Sequence, residues 1–332
     1  RKVSQVRSVV TDQFEGMAMF LAGVRSQLDE ISGADSLLGS RVKEYMSREN
    51  MDPSWVVCLA DKHDRMTIRA QMPARKLPHI SLTAFAAALD EMTEREFDPP
   101  QAVTEDDKVT LTFWERAAYQ VLFGGHQICC GHNSLCGDSY RQFITQGCRA
   151  HLVLSDGMGS GGSAAVDSAM ASSLISRLAQ AELDYDSALK LVNSALLVKS
   201  GEESLATVDV ASIDLYTGRA DFYKAGAAPT LVRKSGRAGS VESTSIPAGI
   251  LKGVAFEHSG ITLRDGDMVV MLSDGASTSG VEWIGAELEN YKGSDPNELC
   301  RKLANAARLR RIDGREDDIT VVCAMIEKKA PC

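Results

Sequence analysis

The sequence predicts an α+β protein with antiparallel sheets flanked by helices, and two observations indicate this class. Strand-like runs follow one another in groups and so do helix-like runs, whereas a parallel sheet would alternate strand and helix. The 332 residues are 44% hydrophobic and 24% charged, as in ordinary globular proteins. A chain of this length is enough for about two domains.

Charge and hydropathy argue against two classes of protein. With 36 basic and 45 acidic residues the formal net charge is -9, and a nucleic-acid partner would require a basic face. No apolar run reaches the roughly 18 residues that span a bilayer. Since the chain begins at Arg1 and not at Met, we interpret it as a fragment of a longer protein. We expect the fragment to be cytoplasmic and its parent protein to be anchored in the cell membrane through an upstream segment.

Residues 1–31 predict a long amphipathic helix, because apolar residues from Val3 to Ile31 recur at intervals of three and four. The pattern fits a helix that packs on its own domain. It fits equally a coupling helix that joins subunits or transmits a signal. Both interpretations stay open.

A small α+β regulatory or oligomerisation domain is predicted over residues 32–125. The patterns indicate helices at 37–50 and 81–96 and strands at 55–59, 66–70 and 109–114. Its acidic residues are typical of a solvated surface and form no catalytic constellation. Gly124 and Gly125 mark the predicted boundary with the next domain.

The second predicted domain covers residues 126–328. Its patterns indicate strands at 127–130, 140–145, 151–155, 208–216, 220–224, 230–233, 260–263, 268–272 and 319–326, and helices at 163–181, 187–198, 281–291 and 298–309.

Two apolar strands of this domain end in the same tripeptide, Ser-Asp-Gly, which contains Asp156 in one strand and Asp274 in the other. An unpaired carboxylate at the end of a buried strand is unfavourable, so each aspartate requires a cation or a group of hydrogen-bond donors. The following glycine allows close approach of the backbone and can offer its carbonyl oxygen as a metal ligand.

Two more acidic segments complete this pattern. Asp317 and Asp318 precede the last strand, and Asp138 lies in a Gly-Asp-Ser turn. In an antiparallel sheet the end of one strand lies beside the start of its neighbour, so these side chains can meet at one edge. A site made only of carboxylates suits Mg²⁺ or Mn²⁺. One Asp-Gly pair is usually a turn, but turns alone do not explain the whole set.

The eight cysteines do not indicate a disulfide scaffold in a chain of this length. The candidates for a zinc site are Cys129, Cys130, His132, Cys136 and Cys148. Their spacing contains no Cys-x-x-Cys pair, and neighbours on a strand point to opposite faces. Buried, reduced thiols are therefore the favoured interpretation over zinc.

In order and spacing, these motifs resemble the metal-dependent protein phosphatases of type 2C, and most closely the phosphatase module of the stage II sporulation protein E family. The segments that carry the resemblance are SDGMG at 155–159, KAGAAP at 224–229, IPAGI at 246–250, MLSDG at 271–275 and DDITVV at 317–322. The resemblance implies a β-sandwich of two antiparallel sheets flanked by helices, with two Mn²⁺ or Mg²⁺ ions at one edge.

Site roles also follow from the resemblance. It implies that Asp156 bridges both ions and that the Gly157 carbonyl binds one of them. Asp274 and Asp317 complete the shell of the second ion, and Asp138 holds a water molecule of the centre. These four aspartates are the expected catalytic set.

Asp318 stands where relatives have Asn or Asp, so we expect it to support the ligands rather than bind an ion. In the resembled family the two helices after the first Ser-Asp-Gly act as a switch that completes the metal site. Here Gly159, Gly161 and Gly162 are the expected hinge, and the coupling helix is expected to act on these helices.

The implied activity is that of a Mn²⁺- or Mg²⁺-dependent serine/threonine phosphoprotein phosphatase, in which two ions activate water for in-line attack on phosphorus. The implied substrate is a phosphorylated anti-anti-sigma factor, whose dephosphorylation activates a sporulation sigma factor. We also expect a homo-oligomer formed through the N-terminal region. The alternative is an oligomerising scaffold whose phosphatase domain is inactive in isolation.

Two departures from the family pattern matter. Relatives often follow the second Ser-Asp-Gly with a bulky apolar residue and a glutamate, whereas residues 276–279 here are Ala-Ser-Thr-Ser. No motif assigns a phosphate-binding arginine. The arginines nearby in sequence are interpreted as a solvated basic helix end; they are Arg308, Arg310, Arg311 and Arg315.

Overall fold

The computed structural model describes residues 33–61, 63–129, 135–145, 147–158, 162–181, 183–199, 205–250, 256–311 and 317–330. The described residues divide into two compact units, of which the first ends at Arg116 and the second begins at Ala117. The helix predicted over residues 1–31 lies outside the described residues. None of the described helices is long and apolar enough to cross a membrane.

The described part of the first unit is an antiparallel sheet with helices packed on it. Its strands are β1 (Gly33–Ala34), β2 (Trp55–Ala60), β3 (Met66–Pro73), β4 (Gln101–Glu105) and β5 (Lys108–Trp114), in the sheet order β1-β2-β3-β5-β4. Its helices are α1 (Ser36–Arg48), a 3₁₀ helix (Ala74–His79) and α2 (Leu82–Thr93).

Both α-helices of this unit begin at a side-chain cap, as their sequences favour. Asp35 accepts a hydrogen bond from the Leu38 N–H at 2.9 Å, and Ser81 accepts one from the Ala84 N–H at 3.2 Å. The apolar faces of helices and sheet share one core, which includes Val42, Met46, Ile68, Phe85, Leu89 and Phe113. This unit therefore has a hydrophobic core of its own.

The second unit contains two antiparallel sheets and the remaining described helices. Its strands are β6 (Tyr119–Ile128), β7 (Asp138–Ile144), β8 (Arg149–Asp156), β9 (Val208–Asp214), β10 (Arg219–Ala225), β11 (Thr230–Lys234), β12 (Arg237–Val241), β13 (Glu257–Thr262), β14 (Met268–Leu272) and β15 (Ile319–Lys328). Its helices are α3 (Gly162–Gln180), α4 (Tyr185–Lys199), α5 (Asp274–Ser277), α6 (Glu282–Asn290) and α7 (Pro296–Arg310).

The two sheets pack as a sandwich, with strand orders β13-β10-β9-β8-β7 and β12-β11-β14-β15-β6. Along β14, Val269 and Met271 belong to the core between the sheets, whereas Val270 belongs to the core under α6 and α7. In the other sheet, Leu152 faces the sandwich and Val153 packs with α3 and α4. Because both faces of these central strands are covered, apolar residues fill both alternating sets. The predicted α+β class with antiparallel sheets is confirmed.

The division between the units falls earlier than Gly124 and Gly125, the boundary predicted from the sequence. Both glycines lie inside β6, which pairs with β15 from Tyr119 to Ile128. A Cβ at Gly124 would overlap the backbone of Pro296 and Asn297, and one at Gly125 would meet the Tyr140 ring. The glycines permit close packing within a strand, which explains why they do not mark a linker.

Candidate active site

The first Ser-Asp-Gly corner lies where β7 begins and β8 ends. Asp138 and Asp156 are direct partners in the antiparallel register of these strands. The Asp156 backbone is fixed by Thr207, the residue before β9, because its N–H donates to Thr207 Oγ1 at 2.9 Å and its carbonyl accepts from the Thr207 N–H at 2.8 Å. Asp138 is thus the first residue of a strand, where the sequence predicted a turn.

The second Ser-Asp-Gly corner lies where β14 ends beside the start of β15. The Ser273 N–H donates to the Thr320 carbonyl at 3.0 Å, and the Thr320 N–H donates to Ser273 Oγ at 2.9 Å. The hydroxyl of Thr320 then donates to Asp138 Oδ2 at 2.6 Å. One threonine therefore links the second corner to a carboxylate of the first.

The four aspartates predicted as catalytic converge at this edge. Burial, followed by the charges of Asp138 and Asp274, raises the pKa of Asp156 far above that of an ordinary aspartate. Burial also raises the pKa of Asp138 to about 6, although hydrogen bonds from Thr320 and Ser273 oppose the shift. Burial and then the charge of Asp274 raise the pKa of Asp317. Asp138 is buried and Asp156 is half-buried, whereas Asp274 and Asp317 are exposed. Carboxylates that gather and repel one another at such an edge fit a site for hard divalent cations.

Glycine is required at both corners for steric reasons. A Cβ on Gly157 would overlap the backbone of Ala164 in α3. A Cβ on Gly275 would overlap the Asp318 carbonyl and the guanidinium of Arg311. At the first corner the glycine lies against a helix, and at the second corner it lies against the segment that carries Asp317 and Asp318.

Arg311 is a structural part of the site, so its interpretation as a solvated helix end is wrong. Its Nη1 donates to the Asp317 carbonyl at 2.6 Å, and its Nη2 donates to the Gly275 carbonyl at 2.9 Å. The guanidinium fork thereby joins the two segments that carry Asp274 and Asp317. Main-chain carbonyl partners leave no sequence motif, which is why the sequence did not identify this role.

The other nearby arginines are placed differently. Arg310 lies over the Trp283 ring, with its guanidinium carbon 4.6 Å from the ring centroid. Arg308 is exposed at the end of α7, and Arg315 lies outside the described residues.

The unusual residues after the second corner form a short helix, α5, that begins at Asp274. The hydroxyls of Ser277 and Thr278 each donate to the Asp274 carbonyl at 3.0 Å. The backbone of Asp274 is thus held locally by small hydroxyl side chains.

The KAGAAP and IPAGI segments lie against each other near the first corner. Gly226 adopts a φ of 62° and donates its N–H to Ser245 at 3.0 Å, and Pro247 occupies the space that a Cβ would need. Ala206 forms backbone bridges to Gly157 and to Ala248. These segments therefore connect to the corner through the backbone.

The lysine of KAGAAP belongs to a buried polar cluster that the sequence did not reveal. Lys224 Nζ lies 2.6 Å from Asp209 Oδ2 and 2.8 Å from Thr230 Oγ1, and all three residues are buried. The cluster joins β9, β10 and β11. The signal for this cluster in the sequence was a lysine near the end of a strand-like run, two residues before a glycine.

Asn193 of α4 connects that helix to the IPAGI segment, because its Oδ1 accepts a hydrogen bond from the Gly249 N–H at 2.8 Å. Of the expected hinge glycines, Gly162 is the first residue of α3, and Gly159 and Gly161 lie outside the described residues.

The remaining predicted residues lie close to the site or outside the described chain. Asp318 Oδ2 accepts a hydrogen bond from the Gly137 N–H at 2.5 Å, one residue before Asp138. Cys148 lies between β7 and β8, and Cys130 and His132 are outside the described residues.

Comparison with known proteins identifies relatives of the chain. The sequence model described as "Stage II sporulation protein E (SpoIIE)" matches residues 146–327. Stage II sporulation protein E of Bacillus subtilis (strain 168) is 28% identical over 227 residues, which are 67% of this chain and 27% of that protein. The protein of the same name from Priestia megaterium is 26% identical over 227 residues, 67% of this chain and 39% of the relative. The chain thus spans well under half of these relatives.

A solved structure of the PP2C phosphatase domain and a fragment of the regulatory domain of SpoIIE from Bacillus subtilis has the same fold. It superposes with a TM-score of 0.71 at 23% sequence identity, covering 99% of this chain and 98% of that one.

Proposed function

Because the chain belongs to the stage II sporulation protein E family, we propose that its second unit acts as a Mn²⁺- or Mg²⁺-dependent serine/threonine phosphoprotein phosphatase. The convergence of Asp138, Asp156, Asp274 and Asp317 at one sheet edge is the observation that carries this proposal. Oxygen ligands without histidine or cysteine suit hard cations.

The residues that would hold the ions follow from their positions. Asp156 and the carbonyl of Gly157 lie at the first corner with Asp138, and Asp274 lies at the second corner with Asp317. When bound, a pair of such ions supplies Lewis acidity and activates water at neutral pH.

The surrounding residues hold these carboxylates in place. Thr320 keeps one Asp138 oxygen in a fixed direction through its 2.6 Å hydrogen bond. Arg311 fixes the backbone on either side of the second corner and, as a charge, opposes the repulsion that raises the pKa of Asp317. Preorganised ligands of this kind lose little free energy to reorganisation when substrate binds.

The proposed substrate is a phosphoserine or phosphothreonine protein, in particular a phosphorylated anti-anti-sigma factor whose dephosphorylation activates a sporulation sigma factor. Membership of a sporulation-protein family supports this choice. We further propose that the unit before Ala117 serves regulation and homo-oligomerisation, since it has a core of its own. Membrane anchoring of the parent protein is also part of the proposal.

Phosphate release from a phosphoserine protein tests the activity directly. We expect release to rise with added Mn²⁺ and to stop with excess chelator. Asp156→Ala should reduce release by about 1,000-fold or more, as loss of an essential catalytic group does in other hydrolases. Asp107→Ala, which removes an exposed carboxylate between β4 and β5, is the matched control.

Measuring the self-association of the same variants distinguishes the phosphatase proposal from the alternative of an oligomerising scaffold. Sedimentation should give equal oligomer sizes for Asp156→Ala and the unaltered chain if the N-terminal unit mediates assembly. Metal-independent phosphate release, or full activity in Asp156→Ala, would contradict the phosphatase proposal.

A further inference from the structure

Two cysteines and one aspartate come together beside the carboxylate edge. Cys129 follows β6, Cys136 precedes β7 and Asp318 precedes β15. The two sulfur atoms and a carboxylate oxygen of Asp318 all lie within 4.8 Å of one another. Six residues separate Cys129 from Cys136, more than the two to four of a short zinc motif, so the fold and not a local motif brings the two cysteines together.

The geometry of this cluster is close to that of a tetrahedral metal site. With zinc–sulfur bonds of about 2.3 Å and zinc–oxygen bonds near 2.1 Å, neighbouring ligand atoms are about 3.5–3.8 Å apart. A contraction of about 1 Å therefore suffices to bring all three atoms onto one ion. Cys129 is exposed and Cys136 and Asp318 are half-buried, so an ion can enter from solvent.

The donor set differs in kind from that of the proposed catalytic centre. Thiolates are soft ligands that select zinc and similar ions, whereas carboxylates and carbonyls suit Mg²⁺ and Mn²⁺. We propose that Cys129, Cys136 and Asp318 form a separate binding site for one thiophilic divalent ion of the zinc class. Three protein ligands leave the fourth tetrahedral position for water.

An ion at this site would connect the two sheets of the second unit. β6 and β15 belong to one sheet and β7 to the other, so the ion would join the ends of strands from both sheets. Asp318 already accepts a hydrogen bond from the Gly137 N–H, which ties the two segments together without an ion. The bound ion would reinforce that connection beside Asp138 and Asp317.

Cobalt is the probe for the test, because Co²⁺ bound by thiolates shows a sulfur-to-metal charge-transfer absorption in the near ultraviolet. We expect the metal-stripped full chain to bind one equivalent of Co²⁺ with this absorption and to lose the absorption when Zn²⁺ displaces it. The absorption should disappear in the Cys129→Ser/Cys136→Ser double variant. Cys148→Ser, which alters a half-buried cysteine outside the cluster, should leave it unchanged.

Affinity gives the second readout. Loss of a residue that only supports the metal ligands costs about 10–100-fold in metal affinity. Since Asp318 is proposed to bind the ion directly, Asp318→Asn should weaken Zn²⁺ binding by about 100-fold or more. Zn²⁺ should also protect Cys129 and Cys136 of the unaltered protein from alkylation, and leave Cys148 reactive. This last measurement needs no variant and is independent of any folding defect.

Asp156→Ala separates this site from the proposed catalytic centre. The variant should retain the cobalt absorption even where phosphate release is lost. The proposal is overturned if the absorption persists in the double cysteine variant, if it disappears in Asp156→Ala, or if Zn²⁺ fails to protect the two thiols. It is equally overturned if, once the reductant is removed and air is admitted, oxygen oxidises Cys129 and Cys136 to a disulfide as readily in the presence of Zn²⁺ as in its absence.

Discussion

The two Ser-Asp-Gly corners share a tripeptide but are held by different parts of the protein. At the first corner, Gly157 packs against the backbone of α3 and Asp156 is hydrogen-bonded to Thr207. At the second corner, Arg311 binds the Gly275 carbonyl and Ser273 is hydrogen-bonded to Thr320. The first corner is thus coupled to a helix, and the second to a strand and a side chain.

This difference indicates how each corner responds to change. At both corners the atom nearest to an added Cβ is a backbone carbonyl oxygen, that of Ala164 in α3 for Gly157 and that of Asp318 before β15 for Gly275, and Gly275 has the Arg311 guanidinium as a further neighbour. Two copies of the same tripeptide can therefore be held in place by different neighbours. The expected switch helices follow the first corner, which is the one that packs against a helix.

The largest effect is expected at Gly157. In Gly157→Ala the new methyl group overlaps the Ala164 backbone, and overpacking of this kind destabilises by about 1–3 kcal/mol. Displacement of the corner by about 1 Å should also reduce phosphatase activity about 100-fold. Urea unfolding and phosphate release measure the two effects.

Two glycine variants sharpen this comparison. Gly275→Ala should destabilise about as much as Gly157→Ala, because the Asp318 carbonyl oxygen is as close to the new methyl group as the Ala164 carbonyl oxygen is at Gly157, and movement of Arg311 relieves only the second contact. Gly239→Ala is the control, since a Cβ at this β12 position meets nothing within 4 Å. A much smaller destabilisation in Gly275→Ala would show that the segment carrying Asp318 yields more easily than α3.

A smaller effect is expected at Arg311. In Arg311→Lys a single ammonium cannot reach both the Gly275 and Asp317 carbonyls as the guanidinium fork does. Since residues that orient ligands contribute about 10–100-fold to metal affinity, we expect Mn²⁺ binding to weaken by about 10-fold. Isothermal calorimetry of Mn²⁺ binding measures this, with exposed Arg308→Lys as the control. Unchanged affinity would mean that the second corner needs no side-chain support.

Sequence reasoning predicted the acidic residues of this site because their pattern is local. Each aspartate stands at the start or end of an apolar run, and antiparallel pairing brings such ends together. The alternation of apolar residues likewise predicted most strands and helices. The same reasoning placed Asp138 in a turn, since a strand beginning at a carboxylate has no distinct signature.

The features missed from the sequence depend on contacts between distant segments. Gly124 and Gly125 were predicted to mark a domain boundary, because their close packing against α7 and Tyr140 is visible only in the fold. Arg311 read as a solvated residue because its partners are carbonyls. The strand β12 was not predicted, because a strand at the exposed edge of a sheet requires few apolar residues.

The smallest effect is expected in the pH dependence of stability of the metal-free protein. Asp138 and Asp156 have raised pKa values in the folded state, so folding strengthens their proton binding. Their favourable contribution is complete below the unfolded pKa of about 4 and is lost as pH rises from there through the folded values, so that the part due to Asp138 is lost by about pH 6. With chelator present, the protein should therefore lose stability as pH rises above about 4, and the loss due to Asp156 should continue past the Asp138 range because its pKa is raised further.

Asp156→Asn tests this expectation, because a neutral amide removes the repulsion at the first corner while preserving the shape of the side chain. The variant should be more stable than the unaltered metal-free protein by about 1 kcal/mol at neutral pH, a typical gain when an active-site residue is replaced at the expense of activity. The gain should shrink at low pH, where Asp156 is protonated in the unfolded chain as well as in the folded one. Exposed Asp107→Asn is the control. Because the second corner has Arg311 beside its carboxylates, Asp317→Asn should give a smaller gain, and an equal or larger one would show that repulsion is not concentrated at the first corner.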